Sequence, residues 1–243
     1  MSFSLPIKRG CFITLEGVDG AGKSSHLDAI VDWVGTHVAG APACTLSREP
    51  GGTPLGEQLR AILLHQAMSP MSELLTVFAA RAEHVAQRIA PALARGDWVV
   101  CDRFTDSTLA YQGGGRGLST PAILQLAQLV HGDCQPDLTL IFDVSPDVAS
   151  ARVAGRGAAD KFESETASFT AAVRAAYLGI AAREPQRCVL INGALPIAQV
   201  RTQVIDALNR HFEARLESRL DSHVDSRVQS HLESRLFNPE SPA

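Results

Sequence analysis

The residues with the clearest chemistry stand in the stretch LEGVDGAGKSSHL, Leu15 to Leu27, which continues the apolar run CFITL. Gly17, four residues, then Gly22-Lys23-Ser24 is the spacing of a phosphate-binding loop. Glycines at 17, 20 and 22 let backbone N–H groups converge on phosphate oxygens with no Cβ in the way, and a helix start adds partial positive charge. Lys23 is then expected to reach the β- and γ-phosphates, and the Ser24 hydroxyl to ligate Mg²⁺. The loop Gly17, Val18, Asp19, Gly20, Ala21, Gly22, Lys23, Ser24 and Ser25 therefore reads as the seat of a nucleoside triphosphate. A plain glycine turn has no need of the Lys-Ser pair. A guanine-reading GTPase would call for Asn-Lys-x-Asp, which the sequence lacks.

A second phosphate is implied further along. The apolar run ending VVCDRF places Asp102 where an acid could hold Mg²⁺ directly or through water, with Arg103 beside it. A guanidinium at a strand end next to a metal site suits either an acceptor phosphate or the charge that develops in transfer. Arg48 and Arg60 in SREPGGTPLGEQLR, with Arg81 on a long helix, bring more arginines to loop ends than one triphosphate needs. The excess points to a second anionic substrate.

These residues require a scaffold that presents loop ends together. Five short apolar runs, 11 to 15, 43 to 46, 98 to 101, 138 to 142 and 188 to 191, read as buried strands. Between them, Gly22 to Val38, Pro54 to Gln66, Pro70 to Arg95, Pro121 to His131, Pro146 to Arg156 and Lys161 to Glu184 read as helices. Proline in a first turn marks several starts. The alternation predicts an α/β three-layer P-loop fold, a five-stranded parallel sheet flanked by helices, with ligands beyond the carboxyl ends of the strands.

The 243 residues are 45% hydrophobic, enough for one sizeable core, and the net charge of -4 gives no global basic field. Neither a nucleic acid polymer nor a membrane is an expected partner. Five cysteines without CxxC pairs fit a reduced, cytoplasmic interior, and the N-terminus lacks the apolar stretch of a signal peptide. The main domain is expected over 1–212. From 213 to 243 the text becomes a tetrad with Leu or Val at 216, 220, 224, 228, 232 and 236. Each step of four overshoots a helical turn by about 40°, so the stripe winds around the axis. A marginal helix or disordered tail is the expectation, with an oligomerisation helix as the alternative.

Taken together, LEGVDGAGKS, SREPGGTPLGEQLR, FAARAEH, CDRFTDSTLAYQGGGRG, PDLTLIFDV and DKFE resemble the bacterial thymidylate kinases, in order and at similar spacing over roughly 10 to 205. The resemblance implies transfer of the γ-phosphoryl group of ATP to dTMP, and commonly a homodimer. It implies that Asp19 contacts the deoxyribose 3′-hydroxyl and that Arg103, helped by Arg48 and Arg60, anchors the acceptor phosphate. Arg81 would read the thymine O4 side, Thr108 and Gln112 the N3 edge, and Tyr111 would crowd the 2′ position. A lid over about 151–163 would close Arg152, Arg156 and Lys161 on the phosphates, with Arg156 the first choice for charge neutralisation. Relatives place a thymine-stacking aromatic four residues before the base-reading arginine, where Val77 stands. Phe78, three before, shares that helical face and is the candidate here.

Two rivals remain at this point. One is a kinase of another nucleoside monophosphate or of a deoxynucleoside. The other is a weakly catalytic nucleotide-binding module whose tail recruits a partner. His26, His65 and His84 lack metal-ligand spacing and read as surface or core-edge residues.

Overall fold

The computed structural model describes residues 9–38, 43–154 and 161–212. The chain divides into two compact units, Met1–Val204 and Ile205–Ala243. Of the second, residues 205–212 are described, as the end of a helix over 197–212. The tetrad tail and lid residues 155–160, Arg156 among them, lie outside the described residues.

The five apolar runs form β1 (Phe12–Glu16), β2 (Cys44–Arg48), β3 (Trp98–Asp102), β4 (Leu138–Asp143) and β5 (Cys188–Asn192). They pair in the order β2-β3-β1-β4-β5, every pairing parallel. The three inner strands are buried on both faces, whereas β2 and β5 at the edges are partly exposed. Each strand ends one or two residues beyond its apolar run, on a polar residue. Register then gathers these ends: Asp102 stands opposite both Leu15 and Arg48, and Asp143 opposite Asn192. The carboxyl edge of the sheet is thus lined with side chains that can meet a polar ligand.

Helices cover the sheet: α1 (Leu27–His37), α2 (Pro54–His65), α3 (Pro70–His84), α4 (Ala90–Ala94), α5 (Thr105–Thr108), α6 (Thr120–Val130), α7 (Pro146–Val153) and α8 (Ala167–Arg183). Thr53, Ser69 and Ser145 cap α2, α3 and α7, each accepting a backbone N–H, with proline next in line. The helix expected over 70 to 95 is continuous but changes to π geometry over Val85–Ile89 before α4. Pro91 lacks the N–H for an i−4 bond and its ring crowds the preceding turn, and the wider π turn accommodates both.

The structure differs from the sequence expectation at three helices. The segment Leu109–Gly115, not among the expected helices, follows α5 as a π-helix that ends in three successive glycines. It is held by close approach: a Cβ on Gly114 would come within 2.6 Å of the Ala176 Cβ, and one on Gly115 within 2.4 Å of the Phe169 ring on α8. The helix expected from Lys161 starts at Ala167, because Thr166 caps it by accepting the Phe169 N–H at 3.2 Å. The helix over 197–212 was not among the expected elements, although Val200, Val204, Leu208 and Phe212 recur every four residues and all are buried. Trp33 and Trp98 are buried against each other as apolar residues, and none of the five cysteines is in a disulfide.

Candidate active site

β1 runs directly into the glycine loop. Gly17 and Gly20 adopt φ of +133° and +78°. A Cβ on Gly17 would lie 2.4 Å from the Phe142 carbonyl oxygen, and one on Gly20 2.5 Å from that of Ala149, so the loop's seat admits no side chain at either place. Beyond Gly22, a 3₁₀ turn over Lys23–His26 opens α1. Lys23 is buried across the loop and its Nζ donates to the carbonyl oxygens of Gly17 (3.1 Å) and Val18 (3.2 Å). Burial, and then Arg103, push its pKa down, against the pull of Asp102, Asp19 and Glu16. Over the loop lies a cavity of about 220 Å³ bordered by Gly20, Gly22, Lys23, Ser24, Ser25, Arg48, Arg60, Asp102 and Arg103. Val18 and Ala21 of the same loop are buried, and neither borders this cavity.

Arg103 occupies the centre. Among the described residues it is the one non-glycine with positive φ, +72°, a conformation that costs about 1–3 kcal/mol and persists where surroundings enforce it. Here they do. Nη1 donates to the Gly17 carbonyl (2.9 Å), Ser107 Oγ (3.1 Å) and Tyr177 Oη (3.2 Å), and Nη2 to Asp19 Oδ1 (2.7 Å) and Tyr111 Oη (3.0 Å). Tyr111 in turn donates to Asp19 Oδ2 at 2.9 Å. Burial raises the Asp19 pKa, but Arg103 and Lys23 outweigh it and hold the carboxyl well below the usual range. Asp19, Tyr111 and Arg103 therefore form one rigid ionic cluster beside the glycine loop.

From this cluster a second cavity, about 80 Å³, extends between α2, α3 and the π-helix; its walls include Asp19, Arg60, Val77, Arg81, Arg103, Thr108, Tyr111, Gln112 and Phe162. Arg81 is 1% exposed; its Nε donates to Glu49 Oε2 (2.7 Å) and Nη2 to Thr108 Oγ1 (3.0 Å), while buried Nη1 has no partner. A buried donor without an acceptor is costly, so Nη1 is poised for a ligand atom. Val77 lines this cavity and Phe78 does not. The expected stacking role of Phe78 is thus corrected: its ring packs with Leu74, Ile123 and Ala127, and lies beneath the Arg81 guanidinium, 5.0 Å from its centre. Residues three and four before Arg81 fall on opposite sides of its direction, and the cavity opens on the side of Val77.

The other expected residues distribute as follows. Arg48, at the end of β2, pairs with Glu57 at 3.0 Å on the rim of the loop cavity. Arg60 donates to the Pro50 carbonyl at 2.9 Å and borders both cavities. Arg152 bridges the carbonyls of Gly20 (3.3 Å) and Gly193 (3.0 Å), at the rear of the glycine loop. Lys161 does not reach the loop cavity: its Nζ meets Glu73 Oε2 at 2.5 Å, because that carboxylate is 1% exposed and needs cationic partners. Asp102 Oδ1 is buried without a hydrogen-bond partner, and Ser24 faces the same cavity. An orphaned carboxylate oxygen and a hydroxyl, with phosphate oxygens and water completing the shell, fit Mg²⁺, a hard cation that takes few protein ligands.

Sequence reasoning missed three buried carboxylates and their partners. Glu49 accepts from Arg81 and pairs with His84 Nδ1 at 2.9 Å, so His84 is a fully buried strut and not a surface residue. Glu73 collects Gln112, Arg116 and Lys161. Glu16, at the end of β1, accepts from the Phe104 N–H (2.7 Å), Ser107 Oγ (2.6 Å) and Tyr177 Oη (2.9 Å). Glu16 is therefore the underside of the Arg103 cluster, through Ser107 and Tyr177. Burial, reinforced by Asp106, raises its pKa to about 7. A raised acid binds a proton in the folded chain that the unfolded chain releases, so its contribution is complete below 4.5 and is lost as pH rises through about 7. Glu16→Gln is expected to remove that slope and to keep the neighbours, its amide oxygen accepting from the Phe104 N–H and its NH₂ donating to the Ser107 and Tyr177 hydroxyls. Melting curves from pH 5 to pH 8 check this: the variant should lose less Tm than the parent, and parallel losses would refute the assignment.

The model of the family described as "Thymidylate kinase" matches residues 15–204. A protein named thymidylate kinase from Methylobacillus flagellatus is 52% identical over 209 residues, 85% of this chain and 100% of its own length. One of the same name from Pseudomonas fluorescens is 53% identical over 202 residues, 82% of this chain and 94% of its own. The crystal structure of thymidylate kinase from Ehrlichia chaffeensis aligns with a TM-score of 0.66 at 36% identity, covering 82% of this chain and 99% of that one.

Proposed function

The chain belongs to the thymidylate kinase family, and from that premise we infer how its residues divide the reaction between two nucleotides. It is an enzyme that transfers the γ-phosphoryl group of ATP to dTMP, giving dTDP and ADP. The observation that carries the division of labour is that Asp19, Arg60 and Arg103 border both cavities. Two nucleotides therefore meet phosphate to phosphate at this cluster, ATP over the glycine loop and dTMP toward Arg81.

In this reading the loop amides and Lys23 hold the β- and γ-phosphates. Arg103, with Arg48 and Arg60, holds the dTMP phosphate, and Asp19 takes the 3′-hydroxyl. A phosphate monoester has a second pKa near 6, so the attacking oxygen is already anionic and no general base is assigned. That oxygen forms a bond to the γ-phosphorus in line as the bond to the β-bridging oxygen breaks, releasing ADP. Ser24 and Asp102 would hold Mg²⁺, which when bound neutralises phosphate charge. At the far end Arg81 Nη1 meets thymine O4, Thr108 and Gln112 line the N3 edge, Val77 covers the ring face, and Tyr111 crowds the 2′ position. Arg152 and Arg156 complete the set on the lid side, Arg156 as neutraliser of the transferring group.

ADP release measured over dTMP, dUMP, AMP, CMP, GMP and thymidine tests the substrate assignment, and a preference for any other acceptor would overturn it. The same assay on a chain ending at residue 212 should show full turnover, since catalysis is assigned to 1–212. Cytoplasmic location belongs to the same proposal; among the described residues no helix is long and apolar enough to cross a membrane. So does a homodimer. Ile62 on α2, Met71 and Leu75 on α3 and Leu124 on α6 are 38–50% exposed, and α3 packs between α2 and α6. Light scattering on the eluting protein should give twice the 25.9 kDa chain mass, and a single-chain mass would exclude the dimer.

A further inference from the structure

We propose that Glu73 sets the polarity of Gln112, so that the carbonyl of that side chain faces the base cavity and selects pyrimidines bearing a hydrogen on N3. The proposal rests on the dTMP reading and adds a positioning residue to it.

The geometry is closed around one carboxylate. Glu73 Oε1 accepts from Gln112 Nε2 (2.9 Å) and Arg116 Nε (3.1 Å), and Oε2 accepts from Arg116 Nη2 (3.3 Å) and Lys161 Nζ (2.5 Å). Although burial works in the other direction, Arg116, Lys161 and Gln112 keep the Glu73 pKa below its ordinary value. An ionised carboxylate only accepts, so the amide of Gln112 must turn its NH₂ to it. The carbonyl oxygen is left as the end of Gln112 available to the cavity, which Gln112 lines beside Arg81 and Thr108. Thymine N3–H donates to such an oxygen. Cytosine N3 is an acceptor and meets it with a repulsion.

Exchange of Glu73 for its amide makes a directional prediction. In Glu73→Gln one of the two positions becomes a donor. The Oε2 position faces two donors that cannot turn, Lys161 Nζ and Arg116 Nη2, and the Oε1 position faces one, Arg116 Nε, beside Gln112. The amide therefore places its oxygen at Oε2 and its NH₂ toward Gln112. Gln112 must then reverse and present its own NH₂ to the cavity.

The experiment compares kcat/KM for dTMP and dCMP in the parent chain, in Glu73→Gln, and in Glu73→Asp, which keeps the charge but draws the acceptors back by one methylene; each is checked first for a cooperative melt. In Glu73→Gln the dTMP value should fall and the dCMP value rise, lowering their ratio about tenfold or more, as expected for one reversed hydrogen bond at a buried base edge. Glu73→Asp should lower the ratio by a smaller factor, about threefold, and it decides the question if Glu73→Gln does not fold. A role in stability alone would depress both substrates together and leave the ratio unchanged, and that result in any folded variant overturns the proposal. If the parent itself fails to prefer dTMP, the functional reading falls first, which the same measurement shows separately.

Discussion

Arg103→Ala is expected to lower kcat/KM for dTMP by about 10³ or more, a loss of about 4 kcal/mol in transition-state stabilisation. Two effects add. The acceptor phosphate loses its charged anchor, and the Asp19 carboxylate, which Arg103 meets at 2.7 Å, loses the cation that holds it in place for the sugar. Arg103→Lys should recover part of this loss, because an ammonium supplies charge but cannot reach Asp19, Tyr111 and the Gly17 carbonyl together. Steady-state rates at varied dTMP check the prediction. Alanine should raise KM and lower kcat together, and a folded alanine variant within about tenfold of the parent would contradict the anchoring role.

Lys23→Ala is expected to cost kcat about 10³ by a different route. Its ammonium now rests on the Gly17 and Val18 carbonyls, poised over the loop where the phosphates must lie. Removing it takes away charge at the transferring group but touches none of the residues around Arg81. Hence the equilibrium affinity for dTMP alone should stay within about threefold of the parent, whereas Arg103→Ala should weaken it. Calorimetric titration with dTMP separates the two variants, and equal weakening in both would undo the assignment of Lys23 to the donor side.

The strands were legible because each is a short β-branched apolar run, and a strand buried on both faces leaves that mark. The glycine loop was legible for a related reason: its residues are contiguous, so spacing alone reports the strand-to-helix turn with its positive-φ glycines. The supports of the acceptor side were hidden. Glu49 meets Arg81, Glu73 meets residues near 112 and 161, and Glu16 meets Ser107 and Tyr177, all distant along the chain. A local signal did exist for one of them. Glu73, Val77 and Arg81 recur every four residues on α3 beside the apolar Leu74 and Phe78, and charge placed on a buried stripe must be paired. Which of Val77 and Phe78 lines the cavity is not legible from spacing, because positions three and four before Arg81 share one broad helical face and the cavity lies to one side of it. Lys161 was drawn to Glu73 by a buried acid that no nearby sequence announces.

The meeting of two nucleotides at the Arg103 cluster is tested most directly with a compound joining adenosine and thymidine through five phosphates. If the glycine-loop cavity and the Arg81 cavity form one continuous path, this inhibitor competes with ATP and with dTMP, and Lys23→Ala and Arg103→Ala each weaken it. Competition against only one of the two substrates would mean that the sites are not joined there.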